Sequence, residues 1–178
     1  IVWFRNDLRL HDHEALHTAI AKHEEVLFIY VFDPFWWGKD QFEIQKTGAF
    51  RTKFLLESVQ ELRESIQSQG SDLVIRYGDT TEELKKIQNQ FNAQHIYFHL
   101  GFADEETKLE ESVKSGFTDV TLHGFDGATL FHWEDLPFDS IDKFSNGFTS
   151  FRKKLEKKKI EVRPLFETPS ALPELPLG

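Results

Sequence analysis

At 178 residues the chain has the length of one domain with a sizeable core. Its 30 acidic and 21 basic residues give a net charge of -9, which disfavours a stand-alone DNA-binding protein because such binding depends on neutralising phosphates. The absence of cysteine excludes disulfides and cysteine-based metal or redox chemistry. No apolar run approaches the roughly 20 residues that span a bilayer, and no signal-peptide pattern is visible, so we expect a cytoplasmic protein.

The first stretch predicts both a strand and a ligand site. Residues 1–4 are an unbroken apolar run, typical of a strand buried on both faces. A charged loop from Arg5 to Arg9 follows, and then a helix that we expect Asp12 to cap and that runs to about His23. Open α/β sheets build ligand sites where a buried strand ends in a polar loop. Because the chain begins inside this strand, we expect its first residue to follow a trimmed N-terminus.

Apolar strands alternate with amphipathic helices along the next hundred residues. The remaining strands are predicted at 26–32, 73–75, 95–98 and 120–122. The helices between them are predicted at 48–69, 80–90 and 104–116. This alternation predicts an α/β fold, a five-stranded parallel, Rossmann-like doubly wound sheet with helices on both faces.

Local signals make further predictions about the helices. The longest helix is predicted to end at Gly70 and to bury one apolar stripe, which consists of Phe54, Leu55, Leu62 and Ile66. Thr80 and Glu83 are expected to form a capping box at the start of the next helix. Asp104 is expected to cap the helix after the fourth strand.

The last thirty residues have a different composition. Basic residues cluster within a short predicted helix at 148–159, where a solvated helix face is favoured over contact with phosphate. Four prolines beyond residue 163 predict an extended linker rather than a packed element. We therefore expect an α/β domain over residues 1–160, and a linker over 161–178 that leads to a domain missing from this chain.

Several motifs allow competing interpretations. Residues 13–17 read H-E-x-x-H, the zinc-protease pattern, but their place at a helix start favours two surface histidines. No glycine-rich phosphate loop is found, which argues against a nucleotide bound in that manner. Glu105 and Glu106 are either helix-start acids favoured by the helix dipole or a pair that accepts hydrogen bonds from a heterocycle. Arg51 either reaches the same edge of the sheet or is an ordinary surface arginine.

Longer motifs resemble one known family. Residues 3–12, Trp-Phe-Arg-Asn-Asp-Leu-Arg-Leu-His-Asp, resemble the opening motif of photolyases and cryptochromes. Residues 47–58 resemble the family's second helix. Residues 136–138 and 148–153 resemble the close of its α/β domain, most like the DASH cryptochromes. The resemblance covers nearly the whole chain.

The resemblance implies an N-terminal light-harvesting-cofactor domain that precedes a helical domain. That second domain would bind FAD and contact DNA, so this chain would meet DNA only through the parent protein. The parent is expected to be a deoxyribodipyrimidine photolyase that repairs cyclobutane pyrimidine dimers by blue-light, FAD-dependent electron transfer. The alternatives are a blue-light photoreceptor without repair activity and a free-standing nucleotide-binding module. No catalytic or metal-binding residue is expected here, so the fragment alone should not be an enzyme.

The resemblance also implies an antenna site, usually for methenyltetrahydrofolate in the DASH branch and sometimes for a deazaflavin elsewhere. The residues that it places at this site are Glu106, Glu105, Arg51, Arg5, Phe32 and Phe35. One departure is the sequence His-Leu-Gly-Phe at 99–102, where relatives often have charged residues after the histidine. The face toward the helical domain should be apolar, so the isolated fragment is expected to be able to self-associate.

Overall fold

The computed structural model describes residues 1–144 and 147–176. The strands are β1 (Val2–Phe4), β2 (Phe28–Phe32), β3 (Leu73–Tyr77), β4 (His95–His99) and β5 (Thr121–Phe125). The α-helices are α1 (Glu14–Lys22), α2 (Ala49–Ser68), α3 (Thr80–Phe91), α4 (Asp104–Gly116) and α5 (Phe148–Lys158). Short 3-10 helices cover Pro34–Trp37, Trp133–Asp135 and Ile141–Lys143.

The five strands form one parallel sheet in the order β3-β2-β1-β4-β5. In β1, Val2 lies opposite Phe28 of β2 on one side and Tyr97 of β4 on the other. The predicted five-stranded parallel α/β fold is confirmed. The chain runs outward from β1 to β3 and then crosses to β4, so the strand order reverses between β1 and β4. Doubly wound sheets bind ligands at such a switch point.

Strand residues alternate between two cores, one on each face of the sheet. Val2 and Phe4 face α1 and α2, whereas Trp3 faces α3 and α4 with Ile29. Because β1 is the central strand and both of its faces are covered, it has no polar residue until Arg5. The unbroken apolar run at the start of the chain therefore reflects this central position.

The start of α1 differs from the prediction. Asp12 adopts a left-handed backbone conformation with φ of 47° and does not cap the helix. The N-cap is His13, whose Nδ1 accepts a hydrogen bond from the Leu16 amide at 3.1 Å. The cap prediction was wrong because a histidine ring can replace the usual short side chain when it is buried against the first turn.

The starts of α3 and α4 also differ. Asp79 caps α3, and its carboxylate accepts a hydrogen bond from the Glu82 amide at 3.0 Å. The predicted capping box is wrong because the amide and hydroxyl of Thr80 both donate to the buried Asp33 carboxylate, at 2.9 and 2.8 Å. In α4 the N-cap is Ala103 and Asp104 is the first helical residue.

The apolar stripe of α2 is buried only in its later turns. Val59, Leu62 and Ile66 are buried, and Leu55 is partly buried against the same core. Phe54 is 70% exposed, so its predicted burial is wrong. It lies instead beside the cavity described below.

The C-terminal segment has no helix or strand between Lys159 and residue 176, as an extended linker predicts. It is nevertheless attached to the domain. Leu172 is buried among core residues and its amide donates to the Gln69 carbonyl at 3.2 Å. The Phe166 carbonyl accepts a hydrogen bond from the Asp12 amide at 2.6 Å. The expectation of an unpacked segment is therefore wrong at these positions.

The surface features agree with the sequence in two respects. In α5 the basic side chains are exposed and only Leu155 is buried, as a solvated helix face requires. Within the described residues, no helix is both long and apolar enough to cross a bilayer.

Candidate functional site

A cavity of about 200 Å³ lies beyond the carboxyl ends of β1 and β2 and is bounded by α2 and α4. Its wall includes several aromatic side chains, among them Trp3, Trp36, Trp37 and Phe54. The polar groups along it include Arg5, Arg51 and Glu106. The sequence predicted a ligand site where the first strand ends, and the structure has a cavity there.

Arg5 is the most constrained of the predicted site residues. Its guanidinium forms an ion pair with Glu110, and both side chains are more than 90% buried. It also donates to the His99 carbonyl at 3.0 Å and lies 4.8 Å from the centre of the Trp3 ring. Arg5 therefore joins the ends of β1 and β4 to α4, and its positive charge is already compensated within the protein.

Glu106 and Glu105 point to different places. Glu106 lines the cavity, where one carboxylate oxygen accepts the Ala103 amide at 2.9 Å and the other accepts a longer 3.3 Å bond from Asn6. Glu105 forms an ion pair with Lys46 at 2.5 Å and does not line this cavity. The two adjacent carboxylates are separated because neighbouring positions on a helix do not share a face.

The loop between β4 and α4 lies directly against Glu106. A Cβ atom on Gly101 would be 2.6 Å from the Glu106 Cβ, so only a glycine allows this close approach without movement. The Gly101 amide donates to the Glu110 carboxylate at 2.7 Å. The loop backbone at Gly101 thus packs tightly on the helix that carries both glutamates.

The aromatic residues after β2 separate into two groups. Trp36 and Trp37 line the cavity, and the Trp37 indole N–H donates to the Thr52 hydroxyl at 2.8 Å. Phe35 is half-exposed and does not line this cavity. The centre of its ring lies 3.3 Å from the Lys46 ammonium nitrogen. Phe32 packs against the core and also lies outside the cavity lining.

Arg51 occupies the boundary between two cavities. It is exposed and lines both the first cavity and a more open neighbour of about 810 Å³. Trp36, Thr47 and Leu109 are shared by both cavities as well. Of the six predicted site residues, Arg5, Arg51 and Glu106 therefore meet at the first cavity, whereas Glu105, Phe32 and Phe35 do not.

A buried cluster of Asp7, His13 and His99 contacts the backbone of Arg5 next to the cavity. Asp7 Oδ2 lies 2.8 Å from both His13 Nε2 and His99 Nδ1, and the two imidazole rings stack at 4.3 Å. Asp7 Oδ1 accepts the Arg5 amide at 2.7 Å. The cluster therefore fixes the turn from which Arg5 extends.

The charge state of this cluster follows from its burial. Burial lowers the pKa of His13, so its ring is neutral at neutral pH. Burial alone would raise the pKa of Asp7, but the contacts from His13 and His99 outweigh it and hold the pKa of that carboxyl well below its usual range. The cluster is thus an anionic carboxylate that contacts one nitrogen of each of two stacked imidazole rings.

The same three residues have their ligand-type atoms within 4.8 Å of one another, which raises the possibility of a metal ion. The His13 tautomer argues against it. His13 Nδ1 accepts the Leu16 amide, so in the neutral ring Nε2 carries the proton and donates toward Asp7. A metal on Nε2 would require deprotonation of the neutral ring.

The H-E-x-x-H pattern does not form a zinc site. His13 is fully buried beside Asp7, whereas the His17 Nε2 lies 2.5 Å from the Glu167 carbonyl. The prediction of two surface histidines is therefore wrong for His13. His17 is partly exposed.

Sequence reasoning missed four residues that organise this site, which are Asp7, Lys46, His99 and Glu110. Glu110 had a usable signal, because it lies four positions after Glu106 and therefore on the same helical face. Lys46 lies in an irregular loop and reaches Glu105 across 59 residues of chain, so no local pattern indicates it.

The chain was compared with protein-family models, with known protein sequences and with solved structures. The family model described as DNA photolyase matches residues 1–174. The Cryptochrome DASH of Synechocystis is 42% identical over 174 residues, which cover 97% of this chain and 35% of that protein. The crystal structure of a Synechocystis cryptochrome has a TM-score of 0.94 at 42% identity, covering 98% of this chain and 36% of that one.

A more distant similarity concerns the fold alone. The archaeal photolyase from Sulfolobus tokodaii has a TM-score of 0.78 at 19% identity, covering 97% of this chain and 37% of that one. Relative to all three proteins, this chain spans little more than a third of their length.

Proposed function

Because the chain belongs to the DNA photolyase family, we propose that it is the light-harvesting-cofactor domain of a DASH-type cryptochrome or photolyase. The site on this domain binds methenyltetrahydrofolate, which absorbs light and passes the excitation energy onward. The parent protein repairs cyclobutane pyrimidine dimers in DNA, where bound FAD supplies the light-driven electron transfer. The residues of this chain bind and orient the antenna molecule and perform no covalent chemistry.

The observation that carries this proposal is the cavity at the end of β1. Trp36 and Trp37 provide aromatic surfaces for a flat heterocycle. The Glu106 oxygen that meets Asn6 at 3.3 Å has a long hydrogen bond, so it can exchange this partner for ring and amino N–H donors of a pterin. Arg51 stands at the boundary with the open neighbouring cavity, where the anionic tail of a folate finds a guanidinium.

The size of the cavity determines how much of the ligand it can enclose. About 200 Å³ is less than the roughly 300–1,000 Å³ of pockets that enclose drug-sized ligands. We therefore expect the ring system to occupy this cavity and the remainder of the ligand to extend past Arg51. The Sulfolobus tokodaii structure is described with two FAD molecules and an implied novel light-harvesting cofactor, which supports a second chromophore in the family but leaves its identity to be tested here.

The proposal is tested by titrating the chain with methenyltetrahydrofolate and following absorbance and fluorescence. We expect Glu106→Gln to weaken binding by roughly ten- to a hundredfold, since a hydrogen bond to a charged group contributes about 1.5–3 kcal/mol. Glu111→Gln is the matched control, because this exposed carboxylate of the same helix lines neither the cavity nor its open neighbour. Equal effects of the two substitutions, or no saturable binding, would contradict the assignment of Glu106.

This domain would bind the antenna molecule in the same way whether the parent protein repairs DNA or acts as a light sensor. A blue-light photoreceptor without repair activity is therefore the second candidate function. Illumination of the full-length protein with DNA that contains pyrimidine dimers separates the two, because only a photolyase restores the bases. A free-standing nucleotide-binding module is disfavoured, since no glycine-rich phosphate loop follows β1.

The partner of this domain in the parent protein is the helical FAD domain. Exposed aromatic side chains, Phe54 at the cavity together with Phe50 and Phe102 elsewhere on the surface, are suited to that contact. Self-association of the isolated chain and a cytoplasmic location stay predictions. Size-exclusion chromatography over a range of concentrations tests the first of them.

A further inference from the structure

Three of the eight histidines meet far from the cavity, on the sheet face that α1 covers. His23 follows the last turn of α1, His95 begins β4, and His123 lies in β5. His95 Nδ1 is 3.1 Å from His123 Nε2, and the His23 and His95 rings are 5.0 Å apart. All three side chains are partly exposed, so an ion from solvent can reach them.

We propose that His23, His95 and His123 form a binding site for a divalent transition-metal ion of the Zn²⁺, Ni²⁺ or Cu²⁺ class. Imidazole nitrogen is a preferred ligand of these ions, whereas Mg²⁺ and Ca²⁺ require oxygen. The site lies toward the amino-terminal ends of the strands, opposite the cavity at their carboxyl ends. It is independent of the proposed antenna function.

The distance between the first two ligands already suits an ion. Zinc–nitrogen bonds of about 2.0–2.1 Å in a tetrahedral site place two ligand nitrogens about 3.3 Å apart. The 3.1 Å between His95 Nδ1 and His123 Nε2 is close to this value. Without metal, one of these two nitrogens carries a proton and donates it to the other, so an ion that binds both requires this proton to move to the other nitrogen of its own ring.

The tautomers also suit an ion here, in contrast to the buried cluster. His23 Nε2 lies 2.8 Å from the Tyr97 hydroxyl, so Nε2–H can donate to the phenol oxygen while Nδ1 coordinates. Tyr97 is held in place because its ring stacks on His123 at 4.3 Å. The nitrogens of the three rings do not all lie within 4.8 Å of one another, so His23 completes the site by turning its ring about the Tyr97 contact toward the other two ligands.

The charged groups that act on His23 and His123 are the other histidines, Lys22 and the Ile1 ammonium. The histidines therefore have no acidic partner among these groups that would compete with an ion for their nitrogens.

The test uses the 178-residue chain after treatment with a chelator. Zn²⁺ is titrated by calorimetry, and Co²⁺ is added separately because its visible absorption reports tetrahedral coordination. We expect one ion per chain, at least tenfold weaker binding in His95→Gln and in His123→Gln, and no binding of Mg²⁺. His11→Gln is the control, since His11 is exposed and outside the cluster.

A second measurement does not depend on the folding of variants. Paramagnetic Co²⁺ should broaden the imidazole NMR signals of His23, His95 and His123 in the unmodified chain. Binding that is unchanged in a His95→Gln/His123→Gln double variant would overturn the proposal. Broadening confined to His13 and His99 would equally overturn it, because the ion would then occupy the buried cluster.

Discussion

Replacement of Glu110 by glutamine is predicted to destabilise the domain more than any change of an exposed carboxylate. Glu110 pairs with Arg5, and their side chains are 6% and 8% exposed. The Gln side chain keeps the shape of Glu and can still accept the Gly101 amide, which is 2.7 Å from Oε1. The substitution therefore removes the charge and little else.

The expected loss of unfolding free energy follows from the hydrogen-bond partners that Arg5 keeps in the Glu110→Gln variant. Its guanidinium keeps the His99 carbonyl at 3.0 Å and a longer 3.3 Å contact with the Glu106 carbonyl, both of which are neutral acceptors. Leaving one member of a buried ion pair uncompensated costs about 3–5 kcal/mol. Because Gln preserves hydrogen bonding, we expect about 3 kcal/mol, which lowers the melting temperature by roughly 6–12 °C in a domain of this size.

The assay is urea unfolding at neutral pH, followed by circular dichroism and fluorescence. Glu111→Gln is the matched control, because it changes an exposed carboxylate on the same helix and should stay within about 0.5 kcal/mol of the unmodified chain. The Arg5→Met/Glu110→Leu double variant should be more stable than Glu110→Gln, since it leaves no unpaired charge. If Glu110→Gln unfolds at the same urea concentration as Glu111→Gln, the reasoning about a buried, compensated Arg5 is refuted.

Two further predictions concern the interior. Because burial lowers the pKa of His13, the unfolded chain binds an extra proton below about pH 6.5, so stability should fall as the pH drops through that range. The fall in urea midpoint between about pH 7.5 and about pH 5.5 should be smaller in His13→Asn, and an equal fall would contradict this origin. Leu172→Ala should cost about 2–5 kcal/mol in urea unfolding, whereas Leu165→Ala, at a residue 70% exposed, should cost less than about 0.5 kcal/mol. Equal costs would show that the C-terminal segment is not part of the folded domain.

Burial of the central strands made the fold predictable. Residues 1–4 and 26–32 are continuous apolar runs because both faces of β1 and β2 are covered by helices. Gly116 ends α4 as predicted, and α5 begins at Phe148 as predicted. Such patterns are local, so they can be recognised without knowledge of the packing.

Helix caps were less predictable because distant residues compete for the capping groups. Thr80 has the chemistry of an N-cap, but its amide and hydroxyl bind Asp33, which lies 47 positions earlier. Asp12 likewise has a suitable carboxylate, but its backbone turns left-handed and His13 takes the position. Neither outcome follows from the residues within one helical turn.

By itself, the sequence predicted the α/β architecture and the edge of the sheet that carries the cavity, and its resemblance to a family indicated Arg5, Arg51 and Glu106 as residues at that edge. Only the tertiary structure decided which neighbours share that edge. Glu105 is adjacent to Glu106 in the chain, yet it turns to Lys46 because consecutive helical residues diverge. Three histidines separated by up to a hundred positions come together because parallel pairing aligns β4 with β5 and α1 ends above them. Strand and helix patterns are encoded over a few residues, whereas contacts between residues distant in the chain depend on strand order and register.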